Sequence, residues 1–141
     1  MSPAALAPVA MLAYVGVRVR DLDRSIRFYE DGLGLVAGPR GTMRHGGVFV
    51  ELEDPRSRQK LELNWYPPGS PYATEYVPGA ELDHLGVEVD DADASIERLV
   101  ALGAEVAIPA WTEAGPTSRY RIGFVRDPDG IWIEVESRLA P

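Results

Sequence analysis

Residues 14–26 read YVGVRVRDLDRSI and residues 84–96 read HLGVEVDDADASI. Seven of these thirteen positions are identical at an offset of 70: Gly16/Gly86, Val17/Val87, Val19/Val89, Asp21/Asp91, Asp23/Asp93, Ser25/Ser95 and Ile26/Ile96. A second echo, Leu61-Glu62-Leu63 against Ile133-Glu134-Val135, recurs at an offset of 72. Two matches in the same order and at nearly the same spacing identify a tandem duplication, and a fixed period of this kind governs the whole architecture.

Working outward, Met11–Val19 alternates and is rich in β-formers, which predicts a strand. Asp21 or Asp23 supplies an N-cap. Leu22, Ile26, Tyr29 and Leu33 recur at helical spacing, and Gly32 and Gly34 end that helix. A short strand near Leu35, then Gly47–Leu52 and Lys60–Asn64, complete the first copy, with a turn across Glu53–Gln59. The second copy repeats the plan. Leu82–Val89 is a strand and Ala92–Leu102 a helix stopped by Gly103. Ala104–Ile108 is a short strand, and Arg121–Val125 and Ile131–Ser137 form a hairpin through Asp127-Pro128-Asp129-Gly130. The expected organisation is a flexible N-terminal tail over 1–10, a βαβββ module over 11–66, a linker loop over 67–80, a second βαβββ module over 81–137 and a C-terminal tail over 138–141. Pro109–Ser118 reads as a further long loop, a length that often serves function.

Composition narrows the function classes. A chain of 141 residues with 45% hydrophobic and 26% charged content lies in the ordinary globular range. A formal charge of −8 argues against nucleic acid or an anionic membrane as partner. No apolar run approaches the roughly 20 residues needed to span a bilayer. The absence of cysteine removes thiol nucleophiles, thiolate metal sites and disulfides, and favours a cytoplasmic location.

The duplication also aligns chemistry. Tyr14 and His84 occupy equivalent positions on the first strands, and Glu62 and Glu134 on the last. Taken alone, each carboxylate reads as a residue on a solvated sheet face, and His84 as a hydrogen-bonded histidine. Two carboxylates and an imidazole at repeat-equivalent positions instead suggest a shared site. Tyr14-Val15-Gly16-Val17-Arg18-Val19-Arg20-Asp21-Leu22, continuing through Ser25, Phe28-Tyr29 and Leu33-Gly34-Leu35, resembles the opening of glyoxalase I and its relatives. Leu61-Glu62-Leu63-Asn64-Trp65, Asp83-His84-Leu85-Gly86 and Asp127-Pro128-Asp129-Gly130 through Glu134 resemble later blocks of the same vicinal oxygen chelate grouping, the glyoxalase/bleomycin resistance/dioxygenase superfamily.

That resemblance implies an α+β fold of two tandem βαβββ modules forming a curved mixed sheet around a cleft. It places four metal positions on Tyr14, Glu62, His84 and Glu134, for Zn, Ni, Mn or Fe. Tyr14 stands where glyoxalase I has His or Gln, and a phenol with a pKa near 10 ligates poorly unless a cation lowers it. Arg18 falls where glyoxalase I places a basic contact to glutathione, whereas Tyr66 replaces the family's Asn. Asn64, Trp65, Tyr66, Trp111, Tyr120 and Arg121 are candidate substrate contacts. His45 reads as a turn residue without a chemical role. The implied activity is that of a metal-dependent lyase or isomerase in which vicinal substrate oxygens chelate a divalent ion, with Glu134 shuttling a proton between adjacent carbons and Glu62 helping to hold the metal. The rivals are a metal-free, antibiotic-type small-molecule binder, an extradiol dioxygenase and an acyl-CoA epimerase. A homodimer is the expected assembly.

Overall fold

The computed structural model describes residues 10–140, so all but the last residue of the expected N-terminal tail lies outside the described residues, as does Pro141. The fold is α+β, in two modules of identical plan. The first runs β1 (Ala10–Arg18), α1 (Leu22–Leu33), β2 (Val36–Thr42), β3 (Val48–Glu53) and β4 (Lys60–Trp65). The second runs β5 (Leu82–Val89), α2 (Ala92–Ala101), β6 (Glu105–Ala114), β7 (Arg119–Arg126) and β8 (Trp132–Leu139). The residues group into two compact units, Tyr14–Asp83 and a second made of the first four residues of β1 with the chain from His84 onward.

In the first unit the strands lie in the order β2-β3-β4-β1. β1 and β4 are parallel, pairing Val15 with Leu61, Gly16 with Glu62, Val17 with Leu63 and Arg18 with Asn64, while β2–β3 and β3–β4 are antiparallel. The second unit has the order β5-β8-β7-β6. Its parallel pair matches Leu85 with Ile133, Gly86 with Glu134, Val87 with Val135 and Glu88 with Glu136. These are the repeat-equivalent pairs, so the duplication read from sequence is also a duplication of register.

The helices start alike for one electrostatic reason. The Asp21 carboxylate accepts from the Arg24 N–H and that of Asp91 from the Ala94 N–H, each at 3.0 Å, capping donors that the first turn leaves without partners. Asp23 and Asp93, within the first turns, bind Arg40 and Arg121 respectively. Alternation then decides which strand faces the helices cover. Leu22, Val50, Leu52 and Leu63 form the buried core of the first unit, and Ala92, Ile96, Val125 and Val135 that of the second. α2 sits so close to β7 that a Cβ on Gly123 would stand 2.6 Å from Ile96 Cδ1.

Three boundaries differ from the sequence reading. The strand expected near Leu35 is the seven-residue β2 and contains Pro39; its register shifts between Ala37 and Arg40. The strand expected over Ala104–Ile108 extends to Ala114, through Pro109, with register shifts on either side of Ile108. Both strands are outermost in their four-stranded arrays, where proline's missing N–H costs no ladder bond and a bulge absorbs the misfit. The loop expected over Pro109–Ser118 therefore shrinks to a tight turn closed by Gly115 N–H on Ser118 O at 2.7 Å. Arg138 and Leu139, placed in the C-terminal tail, instead continue β8 opposite Tyr120 and Arg119. No helix among the described residues is long and apolar enough to cross a membrane.

Leu63 is fully buried against α1. Leu63→Ala is expected to cost about 2–5 kcal/mol through lost transfer energy and the cavity left behind, measured as a lowered midpoint in urea unfolding with an unchanged slope.

Candidate functional site

Because β1 and β4 pair Gly16 with Glu62, side chains alternating with the core-facing Val17 and Leu63 share the face away from α1. Tyr14, Arg18, Glu62 and Asn64 belong to that face. Glu62 is 7% exposed and Asn64 fully buried, so the solvated-face reading of Glu62 does not hold. The residue beside Glu62 in the parallel ladder is a glycine, and its partner in the antiparallel ladder with β3 is Glu51. Asn64 donates weakly through Nδ2 to Val17 O and Glu62 O, both at 3.5 Å. Its Oδ1 is the one buried side-chain polar atom without a hydrogen-bond partner among the described residues.

Arg18, expected to contact substrate, is engaged within its own unit. Its guanidinium donates to Thr74 O at 2.6 Å and Thr74 Oγ1 at 3.2 Å, and lies 3.7 Å from the Glu81 carboxylate. Trp65 departs from the expectation. It packs on the helix side with the core and lines a cavity of about 350 Å³ with Arg20, Arg40 and Val48, on the face opposite Glu62.

Tyr66 sits at the centre of a group that the motifs did not reveal. Its hydroxyl donates to the Asp83 carboxylate, 2.9 and 2.8 Å from the two oxygens. Burial, followed by the charge and hydrogen bond of Asp83, pushes the phenol well above its ordinary range. The His45 ring stands 5.6 Å from Tyr66 and 4.7 Å from Tyr72, and its Nδ1 is 3.4 Å from Ser70 Oγ. His45 does occupy a turn, as expected, but its ring is packed, and burial lowers its pKa from 6.5 against the opposing pull of Asp83. A Cβ on Gly47 would stand 2.8 Å from His45 Cε1 and Met43 Sδ and 3.1 Å from Tyr66 Cδ1, so a side chain there would displace this packing. The hairpin register pairing Val48 with Trp65 brings His45 beside Tyr66. That register was the one signal that could have exposed the cluster.

In the other unit, His84 on β5 and Glu134 on β8 share the face away from α2, again beside a glycine, Gly86. His84 Nε2 lies 3.9 Å from Glu134 Oε2, with the imidazole 6% and the carboxylate 17% exposed. Phe124, the cross-strand partner of Glu134, stands edge-on to His84 at 5.7 Å. Trp111 stacks on Phe124 at 6.2 Å and 14°, and Trp132 lies 5.9 Å from the same ring. Trp111 therefore belongs to the Glu134 side, and Tyr120 shares it by alternation along β7. Arg121 does not. It points to α2, where both nitrogens Nε and Nη2 bind Asp93 at 3.0 and 3.2 Å and hold that carboxyl below its usual range.

An imidazole and a carboxylate, both shielded from water, form a donor pair suited to a divalent cation, since neutral imidazole and carboxylate oxygens are ordinary ligands of first-row metals. Tyr14 and Glu62 lie in one compact unit, His84 and Glu134 in the other. Among the described residues no three His, Asp or Glu side chains are gathered into a metal-holding group.

The Glyoxalase/Bleomycin resistance protein/Dioxygenase superfamily profile matches residues 11–135. A lactoylglutathione lyase of Haemophilus influenzae is 37% identical over 125 residues, spanning 84% of this chain and 85% of the relative. A lactoylglutathione lyase of Neisseria meningitidis is 35% identical over 130 residues and 87% of each chain. Among solved structures, methylmalonyl-CoA epimerase from Mycobacterium tuberculosis superposes with a TM-score of 0.74 at 27% identity, covering 92% of this chain and 88% of that one.

The lowered His45 pKa has a thermodynamic consequence. The unfolded chain takes up a proton near pH 6.5 that the folded chain refuses until lower pH, so this contribution to stability is complete above about pH 6.5 and is lost on acidification. His45→Gln is expected to flatten the fall in Tm between about pH 7 and 5, followed by circular dichroism at each pH.

Proposed function

This chain belongs to the Glyoxalase/Bleomycin resistance protein/Dioxygenase superfamily, and we propose that it is a metal-dependent, glyoxalase I-like lyase acting on a small substrate with vicinal oxygens. The observation that carries this reading is the buried pair of His84 and Glu134, repeated in register by Tyr14 and Glu62. Relatives named as lactoylglutathione lyases support it at 34–37% identity over most of their length.

In this reading Glu62, His84 and Glu134 hold a divalent cation and Tyr14 completes the set, brought together within one chain or across a homodimer. When bound, the cation supplies positive charge against negative charge developing on substrate oxygens. The remaining work falls to side chains. Glu134 removes the proton from the carbon next to the substrate carbonyl and returns it to the neighbouring carbon. Its partial burial beside Phe124 and His84 disfavours full solvation of the carboxylate and suits it to that exchange. Glu62 contributes a second negative charge that offsets the cation. Trp111, Phe124 and Trp132 form an apolar wall that keeps water from the transferring proton. Asn64 and Tyr120 share the faces of Glu62 and Glu134 and are the retained candidates for substrate contact.

A second reading is favoured by the 27% identity to methylmalonyl-CoA epimerase at a TM-score of 0.74. An epimerase removes and returns a proton at one carbon beside a thioester, a task within reach of the same carboxylates. The two activities separate in one assay series: isomerisation of hemithioacetals of α-keto aldehydes with glutathione or another thiol, against loss of the α-deuterium from a branched acyl-CoA. Turnover of the first alone supports the lyase; turnover of the second alone replaces it with the epimerase.

Glu134→Gln is expected to preserve the far-UV spectrum while lowering turnover by about two to four orders of magnitude, the range for loss of a general base. Unchanged turnover would remove Glu134 from its role. Elemental analysis of the gently purified protein is expected to find close to one equivalent of divalent metal per site, and light scattering a particle of twice the 15.4 kDa chain mass. A protein without metal that takes up none on titration would instead be a binder.

A further inference from the structure

The hydrogen-bonded pair Tyr66–Asp83 lies outside the chemistry just described, yet each member is close along the chain to a proposed ligand. Tyr66 follows β4, four residues beyond Glu62, and Asp83 immediately precedes His84 in β5. The phenol donates to both carboxylate oxygens, at 2.9 and 2.8 Å. The pair is held from behind by an aromatic clasp. His45 stands 5.6 Å from Tyr66, Tyr72 stands 5.8 Å from it, and Gly47 packs so near that a Cβ there would lie 3.1 Å from the Tyr66 ring. Neither member of the pair is repeated. At the equivalent offsets the chain has Arg138 in place of Tyr66 and Ala13 in place of Asp83. The βαβββ plan is therefore complete without them, and the pair is an addition at the point where the linker returns to β5.

We propose that Tyr66 is a positioning residue for the cation site: through Asp83 it fixes the start of β5, and so the backbone that carries His84. Tyr66 thereby leaves the list of substrate contacts, because its only hydroxyl is spent on Asp83. A ring locked on three sides and a two-oxygen hydrogen bond confine the backbone at Asp83. Confinement at one residue limits the directions open to the imidazole of the next. Partners of this supporting kind orient ligands, and their removal typically weakens metal affinity by about 10–100-fold.

This inference rests on the metal-dependent reading, and the test separates the two. Protein stripped with a chelator is titrated with Co(II), following both affinity and the visible absorption band. Tyr66→Phe keeps the ring clasp and removes both hydrogen bonds. It is expected to weaken Co(II) binding by about tenfold or more and to shift the band, with Tm nearly unchanged. Asp83→Asn retains an oxygen that accepts from the phenol and is expected to keep the parent affinity and spectrum. Should Tyr66→Phe fail to fold, Asp83→Ala leaves all three rings in place and is expected to show the same loss. Parental affinity and spectrum in the folded variant, alongside loss of binding in His84→Ala, overturn the positioning role and leave the metal reading standing. Parental binding in His84→Ala removes the metal reading and the inference with it.

Discussion

The structure depends on one pairing, made twice: the first and last strands of each module run parallel, with a glycine opposite a glutamate. Parallel strands need a crossover between them, and the helix and two intervening strands of each module provide it. Once Gly16 faces Glu62 and Gly86 faces Glu134, period-2 alternation settles the rest. Val17, Leu63, Val87 and Val135 turn toward the helices, and Tyr14, Asn64, His84 and Glu136 turn the other way. A slip of one residue in either register would exchange apolar core for carboxylate. The core thus fixes the site, because the face that must be apolar leaves the opposite face for chemistry.

That opposite face carries groups that are costly to bury. A shielded carboxylate or imidazole needs compensating partners, and a fully buried amide oxygen such as Asn64 Oδ1 forfeits a hydrogen bond it would make with water. Such costs are retained where function requires them. The two units meet the requirement differently. Around Glu62 the setting is polar and cross-linked, with Arg18 held by Thr74 and Glu81 and Tyr66 by Asp83. Around Glu134 it is aromatic, with Trp111 and Trp132 each set against Phe124. Duplication supplied two similar scaffolds, and their surroundings then diverged.

Much of this was legible in the chain itself. The repeat, the two helices with their aspartate caps, and the equivalence of Glu62 with Glu134 followed from identity at a fixed offset and from alternation, both local properties. The reading failed where local signals mislead. The strand near Leu35 was read as short and Pro109 as the start of a loop because a sequence does not say which strands are outermost. Trp65 and Arg121 looked like site residues because neighbours of Glu62 and of β7 are near in sequence, yet adjacent strand positions point to opposite faces.

What the amino-acid order determined by itself was the plan: two copies of βαβββ, their apolar stripes, their caps and the residue types able to bind a cation, since each of these is written in spacings of a few residues. Tertiary structure alone decided the company each group keeps. It buried Glu62, brought His84 Nε2 to 3.9 Å from Glu134 Oε2, bound Arg18 to Thr74 and Arg121 to Asp93, and assembled His45, Tyr66, Tyr72 and Asp83 from distant segments. The physical reason is that burial and hydrogen-bond partnership arise between segments far apart in the chain, whereas propensity and periodicity act within a single strand or helix.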